Sequence, residues 1–315
     1  MDNEATNSAQ LGPQLVPPPP APPKRPVVVR VFLGDQGLRA GWRFLLYLVA
    51  VVILLWVSTH ILRAVFGSGL GIQTPKIAIA GELAMFLSAA IPAFIASLLE
   101  RRRWGAYGLP LRRSAIPHFF TGVAIGFAAL SALLLMIHLS HGFSLGPIQL
   151  HGGELARYAV LWGIAFLLVG FAEEFLFRGY SLFTLATGTN FWVTGIILSV
   201  IFGAVHLNNG GEDWVGALNA GLVGLIFVFS LWRTGNLWFA VGAHASWDWA
   251  ESFFYGVPDS GNKSVGALFN PHFAGNKWIT GGSVGPEGSL YAFAALAFIA
   301  LCVHLLYPRR QWQVH

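Results

Sequence analysis

Charged residues are scarce in this sequence, and cysteine is almost absent. Only 10% of the 315 residues are Asp, Glu, Lys or Arg, whereas 55% are hydrophobic. Apolar runs of about 20 residues with so few charges exclude an ordinary soluble domain and indicate an integral membrane protein. The single cysteine, Cys302, has no partner in the chain. An intrachain disulfide, a CxxC redox pair and a cysteine-rich zinc cluster are therefore excluded.

The apolar residues fall into eight runs that we interpret as transmembrane helices. They lie at 43–62, 77–99, 116–138, 155–182, 195–211, 215–232, 237–255 and 289–307. The predicted fold is an all-α polytopic membrane helix bundle with about eight transmembrane helices, in a transmembrane domain that covers residues 36–310. A glycine-rich segment at 256–288 is predicted to be the one sizeable loop.

The N-terminal segment, residues 1–35, differs in composition from the rest of the chain. It is polar at first and then dense in proline at "LVPPPPAPPKRP". Such a composition favours a disordered, partly polyproline II tail. We interpret it as a cytoplasmic spacer, with a partner that binds proline-rich segments as the alternative.

Basic residues are distributed unevenly between the loops. With the N-terminus in the cytoplasm, thirteen of the 19 Lys and Arg lie on the cytoplasmic side, five lie outside, and Arg178 lies within a span. This asymmetry predicts that both termini are cytoplasmic and that the 256–288 loop is extracytoplasmic. It also accounts for the net charge of +5, so nothing in the charge indicates nucleic-acid binding. We expect a multi-pass protein of the bacterial cytoplasmic membrane.

Three charged residues stand in the fourth span, in the stretch "VGFAEEFLFRGY". A charge in a membrane span is costly unless it faces a partner or a water-filled cavity. Glu174 and Arg178 are four residues apart and can pair on one helical face, whereas Glu173 is rotated by about 100°. One glutamate is thus neutralised while the other stays available. The alternative is a structural ion pair beside a protonated second glutamate.

Two further polar motifs lie in the fifth and seventh spans. "FGAVHLNN" places Phe202 and His206 four residues apart, and "VGAHASWDW" does the same for His244 and Asp248. Residues at this spacing project from one helical face. Taken singly, His206 is better explained as a hydrogen-bonded core residue, and a mutually hydrogen-bonded pair explains His244 and Asp248 as well as a functional role does.

The depth of these residues in the membrane connects the three motifs. A rise of ~1.5 Å per residue from the cytoplasmic ends of the spans puts Glu173 at ~14 Å, His206 at ~17 Å and His244 at ~11 Å. This estimate treats residues 183–194 as an interfacial connector. It predicts that the three side chains share one layer of the membrane.

The three motifs "EEFLFR", "FGAVH" and "HASWD", in this order and on separate spans, resemble the CPBP family. This family comprises the CAAX prenyl-protease-like and bacteriocin-processing intramembrane proteases, also called Abi proteins. The stretch "WGAYGLPLRR" before the third span is similar to the segment that often precedes their core. The resemblance covers about residues 104–255.

The resemblance implies an intramembrane endopeptidase that hydrolyses a peptide bond of a membrane-associated protein or peptide. Glu173 would be the general base on water, assisted by His206. Glu174 and Arg178 would form an orienting pair.

By the same resemblance, His244 would face the oxyanion. Asp248 stands where the family also has asparagine, and its carboxylate would repel an oxyanion. It would instead accept a hydrogen bond from His244 and favour the charged imidazolium.

The metal content is open at this point. Glu173, His206, His244 and Asp248 could supply the ligands of a catalytic zinc. The sequence contains no HExxH motif, and we favour glutamate chemistry without a cofactor. A proton-coupled transporter and a catalytically silent membrane scaffold are the alternative functions, because both would also bury charged residues in the membrane.

Overall fold

The computed structural model describes residues 26–34, 37–67, 74–103, 105–309 and 311–312. Eleven α-helices are present in these ranges. They are α1 (Val27–Phe32), α2 (Ala40–Phe66), α3 (Pro75–Leu99), α4 (Ile116–Leu139), α5 (Gly152–Arg178), α6 (Tyr180–Leu185), α7 (Phe191–His206), α8 (Trp214–Thr234), α9 (Trp238–Asp248), α10 (Lys277–Thr280) and α11 (Ala292–Leu306). A π-helix, Trp249–Tyr255, continues α9, and 3-10 turns occupy Arg113–Ala115 and Pro286–Gly288.

The chain divides into two units, of which the first ends at Arg39. Its described part contains α1 and the antiparallel strands β1 (Leu33–Gly34) and β2 (Gly37–Leu38). The predicted tail at 1–35 therefore lies outside the described residues up to position 25. Its last part forms a short helix and the first strand of a hairpin.

The second unit is a polytopic helical membrane bundle, which confirms the predicted fold class. Within the described ranges, five helical stretches are long and apolar enough to cross a membrane. They are Ala40–Phe66, Pro75–Leu99, Arg113–Leu139, Gly152–Leu185 and Trp214–Thr234. The fifth and eighth predicted spans correspond to the shorter apolar helices α7 and α11, and the seventh to α9 with its π-helical continuation.

Local sequence signals explain where several of these helices begin and end. The Asn190 side chain accepts from Val193 N at 2.9 Å and starts α7. Asp213 accepts from Val215 N at 2.8 Å and starts α8, which ends at Gly235 in the left-handed conformation. These are the usual N-cap and C-cap chemistries.

Helices α4 and α9 pack at very close range. A Cβ added at Gly122 would collide with the backbone carbonyl of Phe239, and one added at Gly126 with that of Ala243. Small residues allow this approach, which is how membrane helices pack without a hydrophobic driving force between them. The position of α9, which carries His244, is therefore set by the surface of α4.

The glycine-rich segment at 256–288 has structure of its own. It contributes β4 (His272–Phe273), which pairs with β3 (Phe143–Ser144), and it contains α10 and a 3-10 turn. The segment is fastened to the end of the π-helix by the hydrogen bond from Leu268 N to Phe253 O, 2.8 Å long. The long loop is thus attached to the π-helix that continues α9.

Candidate active site

Glu173 and Glu174 lie side by side at the end of α5 but have different surroundings. Glu174 Oε1 is 3.1 Å from Arg178 Nη1, and both side chains are completely buried. Glu173 keeps 22% of its side chain exposed. Within the described part of the chain, Glu173 Oε2 has no hydrogen-bond partner. The helical spacing therefore pairs one carboxylate and leaves its neighbour open to a cavity.

His244 on α9 connects the two glutamates. Its Nδ1 is 2.9 Å from Glu174 Oε1, which is hydrogen-bond distance to a carboxylate that can only accept. Its Nε2 lies 3.7 Å from Glu173 Oε2 and 3.6 Å from Asp248 Oδ2. Both distances are too long for a hydrogen bond. The hydrogen-bond partner of His244 is thus Glu174, and the expectation that Asp248 accepts from His244 is not met by this geometry.

His206 is the last residue of α7, and its Nδ1 lies 2.7 Å from the backbone oxygen of Phe202. A carbonyl oxygen only accepts, so the ring nitrogen must donate. In the neutral ring this leaves Nε2 with a free lone pair. Phe202 also places its ring 4.1 Å from the Arg178 guanidinium carbon, a cation–π contact that stabilises a buried charge.

One cavity of about 340 Å³ joins the three motifs. Glu173, His206, His244 and Asp248 all line its wall. Glu174 and Arg178 stand behind it, with no exposed side-chain surface. The cavity is half polar, which suits a site that admits water and an extended peptide segment.

The start of α7 changes one step of the depth estimate. The helix begins at Phe191 and not at 195, because Asn190 caps it. His206 then lies ~22 Å along the helix from its start and not ~17 Å. The cavity still reaches His206.

Glu82 on α3 was not recognised in the sequence as part of this site. It lines the same cavity, and its Oε2 has no hydrogen-bond partner among the described residues. The sequence indicated a possible functional role for Glu82 only in that it is the one carboxylate in the span 77–99. No residue at helical spacing accompanied it, and so its neighbours could not be inferred.

The cavity wall also includes two acids from the 256–288 segment, Asp259 and Glu287. Burial raises the pKa of the Asp259 carboxyl to about 8, and the nearby Glu287 carboxylate acts in the same direction. Both lie in a glycine-rich loop where sequence pattern carries little information. Only the folded loop brings them to the cavity.

The four residues considered as zinc ligands do not form a compact ligand set. A metal ion could be held by three or more His, Cys, Asp or Glu side chains whose ligand atoms lie within 4.8 Å of one another. Among the described residues, one group meets this condition, and it consists of Glu251, Asp259 and Glu287. Glu173, His206, His244 and Asp248 share the cavity without meeting this condition. The arrangement of these four therefore does not fit a tetrahedral zinc centre, whose ligand bonds are ~2.0–2.3 Å long.

The chain was also compared with known proteins. Residues 155–250 match a family described as "Type II CAAX prenyl endopeptidase Rce1-like". No curated protein and no solved structure matches the chain. The matched segment contains all three motifs and every side chain from α5, α7 and α9 described above as a site residue.

Proposed function

Because residues 155–250 belong to the CAAX protease-like (CPBP) family, as their three motifs indicated, we propose that this protein is an intramembrane endopeptidase of the glutamate type. Its substrate would be a membrane-associated protein or peptide that enters the cavity from the lipid bilayer. The water nucleophile would be activated by Glu173 and His206.

The observation that carries the proposal is the contrast between the two adjacent glutamates. Glu174 is held by Arg178 and His244, whereas Glu173 Oε2 is without a hydrogen-bond partner among the described residues, at a cavity wall. A carboxylate oxygen that has no hydrogen-bond partner and belongs to a residue lining a cavity can accept a hydrogen bond from a water molecule there. Such a group is suited to remove a proton from water.

The proposed reaction begins with a water molecule between Glu173 and the scissile carbonyl. Glu173 takes one proton, and the hydroxide adds to the carbonyl carbon. His206 Nε2 accepts a hydrogen bond from the same water and orients it. The protonated Glu173 then gives its proton to the leaving amine as the C–N bond breaks.

His244 is proposed to stabilise the oxyanion. Its Nδ1 is committed to Glu174, which fixes the orientation of the ring. Its Nε2 faces the cavity, and the carboxylates of Glu173 and Asp248 stabilise a protonated ring by charge attraction. The Nε2–H can then donate to the oxyanion, which is the role of a preorganised donor. Asp248 acts through His244 and is not in contact with the oxyanion.

The test compares Glu173→Gln with the wild-type full chain in detergent. The probes are a fluorogenic peptide that ends in a farnesylated CAAX sequence and the same peptide without the lipid. We expect cleavage by the wild type and a loss of ~10²–10⁴-fold in the variant, because glutamine keeps the shape but removes the base. Glu154→Gln, which removes an exposed carboxylate of α5, is the matched control and should cleave normally.

The same preparations distinguish the alternatives. A Glu173→Gln protein that melts at the wild-type temperature and still cleaves would contradict the proposed base. Stoichiometric zinc whose removal abolishes and whose return restores cleavage would contradict the glutamate mechanism. A folded wild type that cleaves neither peptide would favour the scaffold function.

A further inference from the structure

Three carboxylates meet beside the π-helix Trp249–Tyr255, outside the matched segment 155–250. Glu251 comes from the π-helix, and Asp259 and Glu287 come from the two ends of the loop segment 256–288. One oxygen of each lies within 4.8 Å of the others. Like charges so close repel one another unless protons or a cation compensate them.

Glu251 is the most buried of the three carboxylates. It is completely buried, and neither of its carboxylate oxygens meets a donor with good hydrogen-bond geometry among the described residues. The indole of Trp247 is near Glu251, but its one N–H donates to Glu287 Oε1 at 3.0 Å. A buried carboxylate without a partner destabilises the folded protein. A bound cation would stabilise this carboxylate, and the described side chains around it do not provide one.

The donors around the cluster are directed at the other two acids. The Trp247 indole nitrogen donates to Glu287 Oε1 at 3.0 Å, and Ser260 Oγ donates to Glu287 Oε2 at 2.6 Å. Ser252 Oγ donates to Asp259 Oδ2 at 3.1 Å. These hydrogen bonds fix the orientations of Asp259 and Glu287. Among the described residues, the ion pairs of the Arg side chains involve other acids, so no Lys or Arg side chain neutralises the three carboxylates.

We propose that Glu251, Asp259 and Glu287 form a binding site for a hard divalent cation, Ca²⁺. The ligand atoms are all oxygens, which Ca²⁺ prefers and Zn²⁺ does not. At a bond length of ~2.4 Å, two oxygens on opposite sides of one Ca²⁺ are ~4.8 Å apart, so the observed separations fit a single ion.

A fourth oxygen is available close to the cluster. Asn219 is 4% exposed and donates through Nδ2 to the backbone oxygen of Glu287 at 2.7 Å. Its Oδ1 has no partner among the described residues. Asn219 lines the same cavity as Asp259 and Glu287, and an amide oxygen is a common Ca²⁺ ligand.

The cation would have a structural role. It would tie both ends of the 256–288 segment to the helix that carries His244, and so hold the loop as a wall of the cavity. None of its ligands is a residue proposed for the hydrolytic reaction. The proposed Ca²⁺ site and the proposed protease function can therefore be tested independently of each other.

The test uses the full chain, stripped of metal with a chelator and exchanged into a zwitterionic detergent. Isothermal titration with CaCl₂ measures binding, and tryptophan fluorescence measures the melting temperature. We expect one Ca²⁺ per chain and a melting temperature that rises with the Ca²⁺ concentration. Glu251→Gln should weaken binding at least ~10-fold, because the number of charged ligands sets the affinity.

Two further variants keep the result interpretable. Asp259→Asn removes the negative charge of a loop ligand and should weaken the Ca²⁺ response as Glu251→Gln does, whereas Glu154→Gln removes an exposed carboxylate and should keep the response. In the absence of Ca²⁺, Glu251→Gln should melt no lower than the wild type, since it removes repulsion. The proposal is overturned if the wild type does not respond to millimolar Ca²⁺, if it prefers Zn²⁺, or if both ligand variants bind Ca²⁺ as the wild type does.

Discussion

At the scale of single residues, the site depends on how one turn of α5 distributes two carboxylates. Glu174 is surrounded by the guanidinium of Arg178 and the imidazole of His244, both at hydrogen-bond distance. Glu173 has neither contact at that distance. Two chemically identical side chains therefore have different surroundings because of a rotation of about 100° around one helix axis.

The prediction at this scale concerns Glu174→Gln. The substitution removes the carboxylate partner of Arg178, which is completely buried. We expect the free energy of unfolding in detergent to fall by ~3–5 kcal/mol, as for other broken buried ion pairs. The melting temperature measures the effect.

The matched double variant, Glu174→Gln with Arg178→Gln, separates stability from orientation. It removes the uncompensated charge and should recover part of the lost stability. It does not restore the acceptor of His244 Nδ1, so cleavage should stay low. If Glu174→Gln were fully stable but inactive while Glu173→Gln lost stability, the roles of the two glutamates would have to be exchanged.

At the scale of helices, the contact between α4 and α9 positions the histidine. Gly126 lies against the carbonyl of Ala243, the residue before His244, and also against Ser246 Oγ. No side chain larger than hydrogen fits there without a shift of α9. A displacement of this helix would change the distances of His244 from Glu173 and Glu174.

We therefore expect Gly126→Ala to lower both stability and cleavage. Overpacking of a close contact costs ~1–3 kcal/mol, and a small misplacement of a catalytic group costs up to ~10²-fold in rate. Gly41→Ala on α2 is the control, because a Cβ at that position meets nothing within 4 Å. Melting curves and cleavage rates of the two variants measure the difference, and equal behaviour would show that α4 does not position His244.

At the scale of the whole molecule, the uneven distribution of basic residues predicts the orientation in the membrane. Some of these residues also stabilise the fold at their end of the bundle. Glu100 Oε1 is 3.1 Å from Arg43 Nη1, and its Oε2 is 2.9 Å from Arg102 Nε. Both arginines belong to the group that we assign to the cytoplasm.

Cysteine labelling in intact cells tests this orientation. In a Cys302→Ala background, which removes the only native thiol, Lys263→Cys should react with an impermeant reagent. Leu111→Cys, at a side chain that is 76% exposed, should react only after the membrane is opened. The opposite pattern of labelling would reverse the predicted topology.

Much of the fold and part of the site could be predicted from the sequence, because both depend on short-range geometry. Apolar runs of sufficient length specify membrane helices whatever surrounds them. A spacing of four residues brings Glu174 to Arg178 at 3.1 Å and His244 to within 3.6 Å of Asp248. These relations hold within one turn of one helix, so no knowledge of packing is needed to foresee them.

Contacts between helices required the folded structure. The hydrogen bond from His244 to Glu174 crosses from α9 to α5, and Glu82 enters the cavity from α3. The meeting of Glu251 with Asp259 and Glu287 depends on the path of a glycine-rich loop. The rotation of each helix about its axis is set by non-local packing, such as the approach of Gly126 to α9, and no periodicity along the chain encodes which faces will meet.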